Sequence, residues 1–289
     1  MRMYSSISKQ RGVTLVELMI ALALGLMIAS AIVKILVSNS VTDKLNKAVA
    51  SAQENGRFII SRIRQDVLMT GFYDPLDPNL SRLVDIAEEG VFIRNHAVAI
   101  PNDFANRPAL GSIQGADGAN DTLVIAKQGL RDCRGYKLGY LAEQEFFVVN
   151  EYFVDDGKLK CRGFDGRVLR GQKVAVGNNG DAAFTLVDDV LSFQVMYGIT
   201  IPNNTDGVTR PVQYIDASDL EDALDNNAFV VAIRIAIVVK GEGDGFVDQP
   251  AKFTLLNEDT ITAPDKGLYK AFETTITLRN AKNFAKGSA

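Results

Sequence analysis

The sequence predicts an α+β protein: one long amino-terminal helix, membrane-spanning in its first half, packed on an antiparallel β-sheet domain. Three observations carry this. A run from Val13 to Val37 is apolar apart from Glu17, Lys34 and a few small residues, and no proline interrupts the chain from there to Gly71. Beyond residue 120, segments rich in Val, Ile, Phe and Tyr alternate with Gly, Asp, Asn and Pro. With 47% hydrophobic and 23% charged residues, the chain can fill one sizeable core and is no disordered tail.

Residues 1–12 form a basic leader containing Arg2, Lys9 and Arg11. The 25 residues 13–37 would make a helix of roughly 37 Å, enough to cross a hydrocarbon layer of about 30 Å with some tilt. Basic flanks resist translocation, so the leader should stay cytoplasmic and the bulk should face outward, into the periplasm of a two-membrane cell. Ala21-Leu-Ala23 imitates a signal-peptidase site, but the apolar run continues too far beyond it for an ordinary secretory signal. Glu17 needs a partner in such a span, because an ionised, unpaired carboxylate there costs several kcal/mol, or about 3 kcal/mol on insertion scales. The alternative is that Glu17 snorkels to the cytoplasmic interface, near the positive end of its helix. Ala21, Gly25 and Ala29 recur every fourth residue, a small-residue stripe that lets helix backbones approach closely, although such residues are also simply common in spans.

From residue 38 to 71 the helix becomes amphipathic. Leu45, Val49, Ala52, Ile59, Ile63 and Val67 make one apolar face, and Lys44, Lys47, Glu54, Arg57, Arg62 and Arg64 the other. A single helix of about 57 residues, roughly 85 Å, follows from the rise per residue. Its second half belongs to the soluble part.

Residues 72–289 form the β-rich domain. Asp74-Pro-Leu-Asp-Pro78 ends the helical pattern and opens a loop-rich stretch to about Asp121, in which His96 falls. Strands are expected at Thr122–Ala126, Glu145–Val154, Lys158–Arg162, Val190–Ile199, Phe229–Lys240 and Lys270–Arg279. Asp155-Asp156-Gly157 spells a hairpin. Ser218-Asp-Leu-Glu221 spells a capping box opening a short helix. The architecture inferred is one antiparallel sheet against the soluble half of the long helix.

Cys133 and Cys161 are the two cysteines, and their spacing fits no four-ligand metal site. Placed outside the cytoplasm they read as one disulfide, contributing roughly 3–4 kcal/mol in the chain-entropy model, with free or regulatory thiols the alternative. The formal charge is -4, and -7 once the three leader cations are subtracted, which disfavours generic nucleic-acid binding. Charge is uneven: residues 127–173 hold ten basic and seven acidic side chains, and residues 203–259 four basic and eleven acidic. Solvated faces explain this, as would complementary subunit contacts. His96 is the single histidine, and no nucleophile elbow or phosphate-binding glycine loop accompanies it, so no enzyme is expected. Asp117-Gly-Ala-Asn-Asp121, Asn203-Asn-Thr-Asp-Gly207 and Glu242-Gly-Asp-Gly245 offer oxygen atoms that calcium would accept, but none has EF-hand spacing and turns are the expectation. Asp216, Asp219, Glu221, Asp222 and Asp225 read as a solvated helix. No metal or cofactor is expected.

The motif Arg11-Gly12-Val13-Thr14-Leu15-Val16-Glu17-Leu18 closely resembles the processing site of type IV pilins and type II secretion pseudopilins. The resemblance implies cleavage by a prepilin peptidase between Gly12 and Val13, methylation of the new terminus at Val13, and a helix that first anchors the subunit and then enters a filament core. Val13 stands where most of that family has phenylalanine. After cleavage the Val13 amine would lie one helical turn from Glu17, and in a staggered assembly the pair can form between neighbours. Gln53-Glu-Asn-Gly-Arg57, Asp66-Val-Leu-Met-Thr-Gly-Phe72, Lys158-Leu-Lys-Cys161, Asp189-Val-Leu-Ser-Phe-Gln-Val-Met-Tyr-Gly198 and Phe272-Glu-Thr-Thr-Ile-Thr-Leu-Arg-Asn280 resemble the PilW group of minor pilins. That implies a low-copy pilus subunit, at the inner membrane and then in the pilus, which helps initiate or cap a type IV pilus. Its partners would be other minor pilins, the major pilin, the peptidase, the inner-membrane assembly platform and membrane lipid. Two alternatives stand beside it: a pseudopilin at the tip of a type II secretion pseudopilus, and a signal-anchored periplasmic domain that binds a ligand or performs catalysis.

Overall fold

The computed structural model describes residues 12–200, 210–244, 247–256 and 258–280. It divides into two compact units, residues 1–47 and 48–289. Helix α1 (Leu15–Met69) contributes to both. In the first unit every side chain from Gly12 to Lys44 faces solvent, and α1 is long and apolar enough there to cross a membrane.

In the second unit the same helix turns one face inward, burying Ala48, Ala52, Gly56, Ile59, Ile63, Asp66 and Val67 at intervals of three and four. The gap in the apolar pattern at Gly56 has a steric cause: a Cβ there would lie 2.1 Å from the Phe272 ring. The helix stops at Met69, two residues before the expected Gly71. Gly71 itself is left-handed (φ 72°), where an L side chain would be strained, and its N–H donates to the Ala126 carbonyl at 2.9 Å.

The loop-rich stretch expected after Asp74 contains a helix, α2 (Ile86–Asn95). Asp85 caps it by accepting from the amides of Ala87 and Glu88 at 2.9 and 3.2 Å. Its mixed composition, with Glu89 and Gly90 as well as Ile93 among the buried residues, concealed its apolar face from a pattern search. His96 is correspondingly the half-buried residue that ends α2, stacked on Phe92 at 4.1 Å, rather than a loop histidine.

The strands form two four-stranded antiparallel sheets and a small hairpin, where the sequence suggested one sheet. The first sheet is a meander of β1 (Leu123–Gly129), β2 (Phe146–Asp155), β3 (Lys158–Asp165) and, after the single-turn α3 (Gly166–Leu169), β4 (Phe184–Val187). Asp156 and Gly157 both have positive φ, as the predicted tight turn between β2 and β3 requires. The chain then steps into the second sheet through Asp188 and the left-handed Asp189 (φ 58°). That sheet holds β5 (Val190–Thr200), β6 (Gln213–Ile215), helix α4 (Leu220–Asp225) as a connection, then β7 (Phe229–Lys240), with β7 and β6 on either side of β5. Strands β8 (Lys252–Phe253) and β9 (Ile261–Thr262) make the hairpin, and β10 (Tyr269–Thr277) is the second sheet's edge. The strands missed in sequence have two to four residues, too few for alternation to register.

One core lies between α1 and both sheets. It gathers Ile59, Ile63 and Val67 with Leu123, Tyr152, Cys161, Phe193, Ile233, Ile235 and Ile237. The alternation read in β7 is present, with Val231 to Val239 facing this core. The first sheet is buried on both faces, because Val124, Ala126, Phe147 and Val149 pack with Ile93 of α2, Phe104 and Leu110 in a second cluster. Ser218-Asp-Leu-Glu221 does precede a short helix, yet the capping box does not form: Asp219 is the N-cap and makes no side-chain capping bond. A 3₁₀ turn at Ala217–Asp219 feeds directly into α4 and occupies the place a cap would take.

Candidate assembly site

Gly12, Val13 and Thr14 lie outside α1, and the helix begins at Leu15. Thr14 is what starts it. Its hydroxyl accepts from the Glu17 amide (3.2 Å), while its own amide (2.9 Å) and hydroxyl (3.0 Å) donate to Glu17 Oε2. Residues 14 and 17 therefore form a reciprocal capping box, and the Thr14 carbonyl accepts the first helical bond from Leu18 at 3.1 Å. Both Thr14 donors converge on Oε2, and among the described residues Oε1 of Glu17 accepts nothing. Thr14-x-x-Glu17 spells this box in the sequence.

Ala21, Gly25 and Ala29 follow on the same helix, exposed, and a Cβ added to Gly25 would meet nothing within 4 Å. Spaced by four, they share one face on which a second helix backbone can approach.

In the second unit, α1 is fixed to the first sheet by polar groups. Asp66 sits at the register position seven after Ile59, inside the apolar stripe, and accepts from Lys127 Nζ (2.6 Å), Asn150 Nδ2 (2.8 Å) and the Tyr152 hydroxyl. Burial, and next the Asp66 carboxylate, push the Tyr152 phenol well above its ordinary range, so it stays a donor. Arg62, expected on the solvated face, instead donates to the Cys133 carbonyl at 2.7 Å. Cys133 and Cys161 are joined as a disulfide, with Cα atoms 6.4 Å apart, which ties the loop after β1 to β3. A second buried pair, Glu89 with Arg167, is bidentate at 2.6 and 2.7 Å, and Tyr73 and the Ser81 carbonyl satisfy its remaining positions. None of the buried side-chain atoms of Asp66, Glu89 and Arg167 lacks a hydrogen-bond partner.

A cleft of about 610 Å³ has Asp156, Lys158, Asp188, Asp189, Lys240 and Asp265 among its lining residues. Its lysines are held in ion pairs, Lys158 with Asp188 at 3.2 Å and Lys240 with Asp265 at 2.7 Å. Among the described residues no group of three or more His, Cys, Asp or Glu side chains is gathered as a metal site. Of the three calcium candidates, Asn203–Gly207 lies outside the described residues, as does Gly245; Asp244 is paired with Lys240; and Asp121 is committed to backbone amides of Gly115 and Val195.

Residues 7–33 match the prokaryotic N-terminal methylation motif, and residues 147–280 match the family Type IV Pilus-assembly protein W, PilW. The second match runs from β2 to just past β10. Among curated proteins, none matches the chain. Among solved structures it is similar to the type IV-like pilin TTHA1219 from Thermus thermophilus, at 14% identity and a TM-score of 0.32, over 59% of this chain and 83% of that one. The motif across the start of α1 and the PilW match over most of the sheet domain make the chain similar to PilW-type proteins of type IV pilus assembly.

Proposed function

We propose that the protein is a minor pilin, a structural subunit that helps initiate or cap assembly of a type IV pilus. The observation that carries this is the methylation motif lying over a helix start at which Thr14 donates twice to Oε2 of Glu17, the carboxylate of the exposed apolar stretch. A prepilin peptidase cuts between Gly12 and Val13, and the Val13 nitrogen is methylated. Residues 13–37 hold the subunit in the inner membrane, with residues 38–71 and the sheet domain in the periplasm, until it is drawn into the pilus. There Glu17 Oε1 takes the cationic terminus of a neighbouring subunit, removing two costly charges from the apolar core together and favouring one axial register. The Ala21, Gly25 and Ala29 face lets the neighbouring helix approach. The PilW match favours the pilus over a secretion pseudopilus, and other minor pilins, the major pilin and the assembly platform are the partners.

Mass analysis of the mature chain tests the processing: a methylated terminus at Val13 is expected, and an intact leader or a start after Ala23 refutes it. Glu17→Leu is expected to leave the protein in the membrane while pilus number falls. Wild-type pilus counts in that strain would refute the pairing role.

A further inference from the structure

The processed bond lies just outside the helix, and the residue that keeps it there is Thr14. A protease binds its substrate as extended chain, because a helical peptide bond has its N–H and C=O committed along the helix. Gly12 and Val13 are non-helical and exposed, Val13 at 72%. The apolar stretch beyond them is continuous helix, and its glycine, Gly25, lies within it, so the Gly25–Leu26 bond is not presented in the same way. The boundary between the two states is the capping box: Thr14 takes the Glu17 amide at 3.2 Å and returns two bonds to Oε2 at 2.9 and 3.0 Å. An N-cap residue has non-helical backbone, so a helix capped at Thr14 cannot extend back over Val13 and Gly12.

We propose that Thr14 is a positioning residue for processing. Its capping box with Glu17 fixes the helix start two residues beyond the Gly12–Val13 bond and so holds that bond in the extended form the peptidase cuts. The inference rests on the pilin reading above and adds a role to a residue that touches neither reacting atom. Hydrolysis itself adds one water across the amide, leaving a carboxylate on Gly12 and an ammonium on Val13. Alanine at 14 is a strong helix former and a poor cap, so it favours helix running back into the leader. The amide of Glu17 then loses its side-chain acceptor. Serine keeps both the acceptor and the hydroxyl donor at the cap.

The test follows conversion of the full-length precursor in cells that express a prepilin peptidase, by pulse-labelling and mass analysis of the amino terminus. Thr14→Ala and Thr14→Val are expected to convert roughly fivefold more slowly than wild type, the rate change matching a cap worth about 1 kcal/mol at 1.36 kcal/mol per tenfold. Thr14→Ser is expected to convert at the wild-type rate. Protection of the Cys133–Cys161 disulfide in every variant checks that the sheet domain has folded. Wild-type conversion of Thr14→Ala, or failure of Thr14→Ser to restore the rate, overturns the positioning role and leaves the pilin reading standing. A wild-type chain never cut at Gly12–Val13 overturns both.

Discussion

Replacing Gly56 by alanine should destabilise the sheet domain, although alanine is the better helix former by about 1 kcal/mol. The added Cβ would lie 2.1 Å from Phe272 Cε2, 2.3 Å from Cδ2 and 2.4 Å from Cζ. Carbon atoms pack at about 3.5–4.0 Å, so the ring or the helix must move by more than about 1 Å. The strand cannot easily give way, because Phe272 is paired with Ile237 in the middle of the β7–β10 ladder. Overpacking of this kind costs about 1–3 kcal/mol, which outweighs the propensity gain and leaves Gly56→Ala less stable by about 1 kcal/mol. In a Phe272→Ala background the obstacle is gone and the same change should stabilise by about 0.5–1 kcal/mol. Urea unfolding of the detergent-solubilised chain measures both, followed by tyrosine fluorescence, since the chain has eight tyrosines and no tryptophan. Stabilisation by Gly56→Ala in the wild-type background, or an equal effect in both, would refute the steric account.

Asp66→Ala should cost about 3–5 kcal/mol, because it leaves Lys127, Asn150 and Tyr152 around a vacated carboxylate in a nearly water-free site, and the same unfolding assay reads it. Asp121 supplies a pH dependence. Its carboxyl is 2% exposed and is pushed up to about 7, chiefly by burial, against the amides of Gly115 and Val195, and with a further push from Glu258 and Asp216. A folded-state value above the unfolded one means that the folded form binds the proton more tightly. This contribution is therefore full below about pH 4 and lost as pH rises through about 7. Melting temperature should thus rise by several degrees from pH 8 to pH 5, and the rise should shrink in Asp121→Asn; an unchanged rise in that variant would exclude Asp121 as its source.

The parts of the fold that could be read from sequence were those with long periodicity. Fifty-five residues of α1 and twelve of β7 repeat their pattern often enough to identify themselves, and Asp156-Gly157 announces its turn by conformational need. Helix α2 escaped because its inward face contains Glu89, which is apolar in effect only once Arg167, 78 residues away, neutralises it. The second sheet escaped for a similar reason, since the step between sheets depends on the left-handed Asp189 and on strands of three or four residues. Asp66 was legible in part: a carboxylate seven residues beyond Ile59, in register with Ile63 and Val67, breaks the pattern of a face that is otherwise core. Its partners lie 61 to 86 residues on and could not be named in advance.

Two carboxylates of α1, Asp66 among core residues and Glu17 in the exposed apolar stretch, are hydrogen-bonded in different ways, and the difference matches their places on the helix. Asp66 has three donors from three side chains of the first sheet, Lys127 on β1 and Asn150 and Tyr152 on β2. That arrangement is permanent, and it suits a helix half that must stay docked. Glu17 has two donors from one residue three positions away, both on the same oxygen, in a stretch of α1 that is exposed throughout. Local bonds of this kind cost little to rearrange and need no neighbour to form, so Glu17 has hydrogen-bond donors within its own chain. A carboxylate with both oxygens fully engaged would have no capacity for an incoming cation, and one with neither engaged would be costly to hold in lipid. The half-engaged state lies between these limits, and it is set by a threonine rather than by the fold.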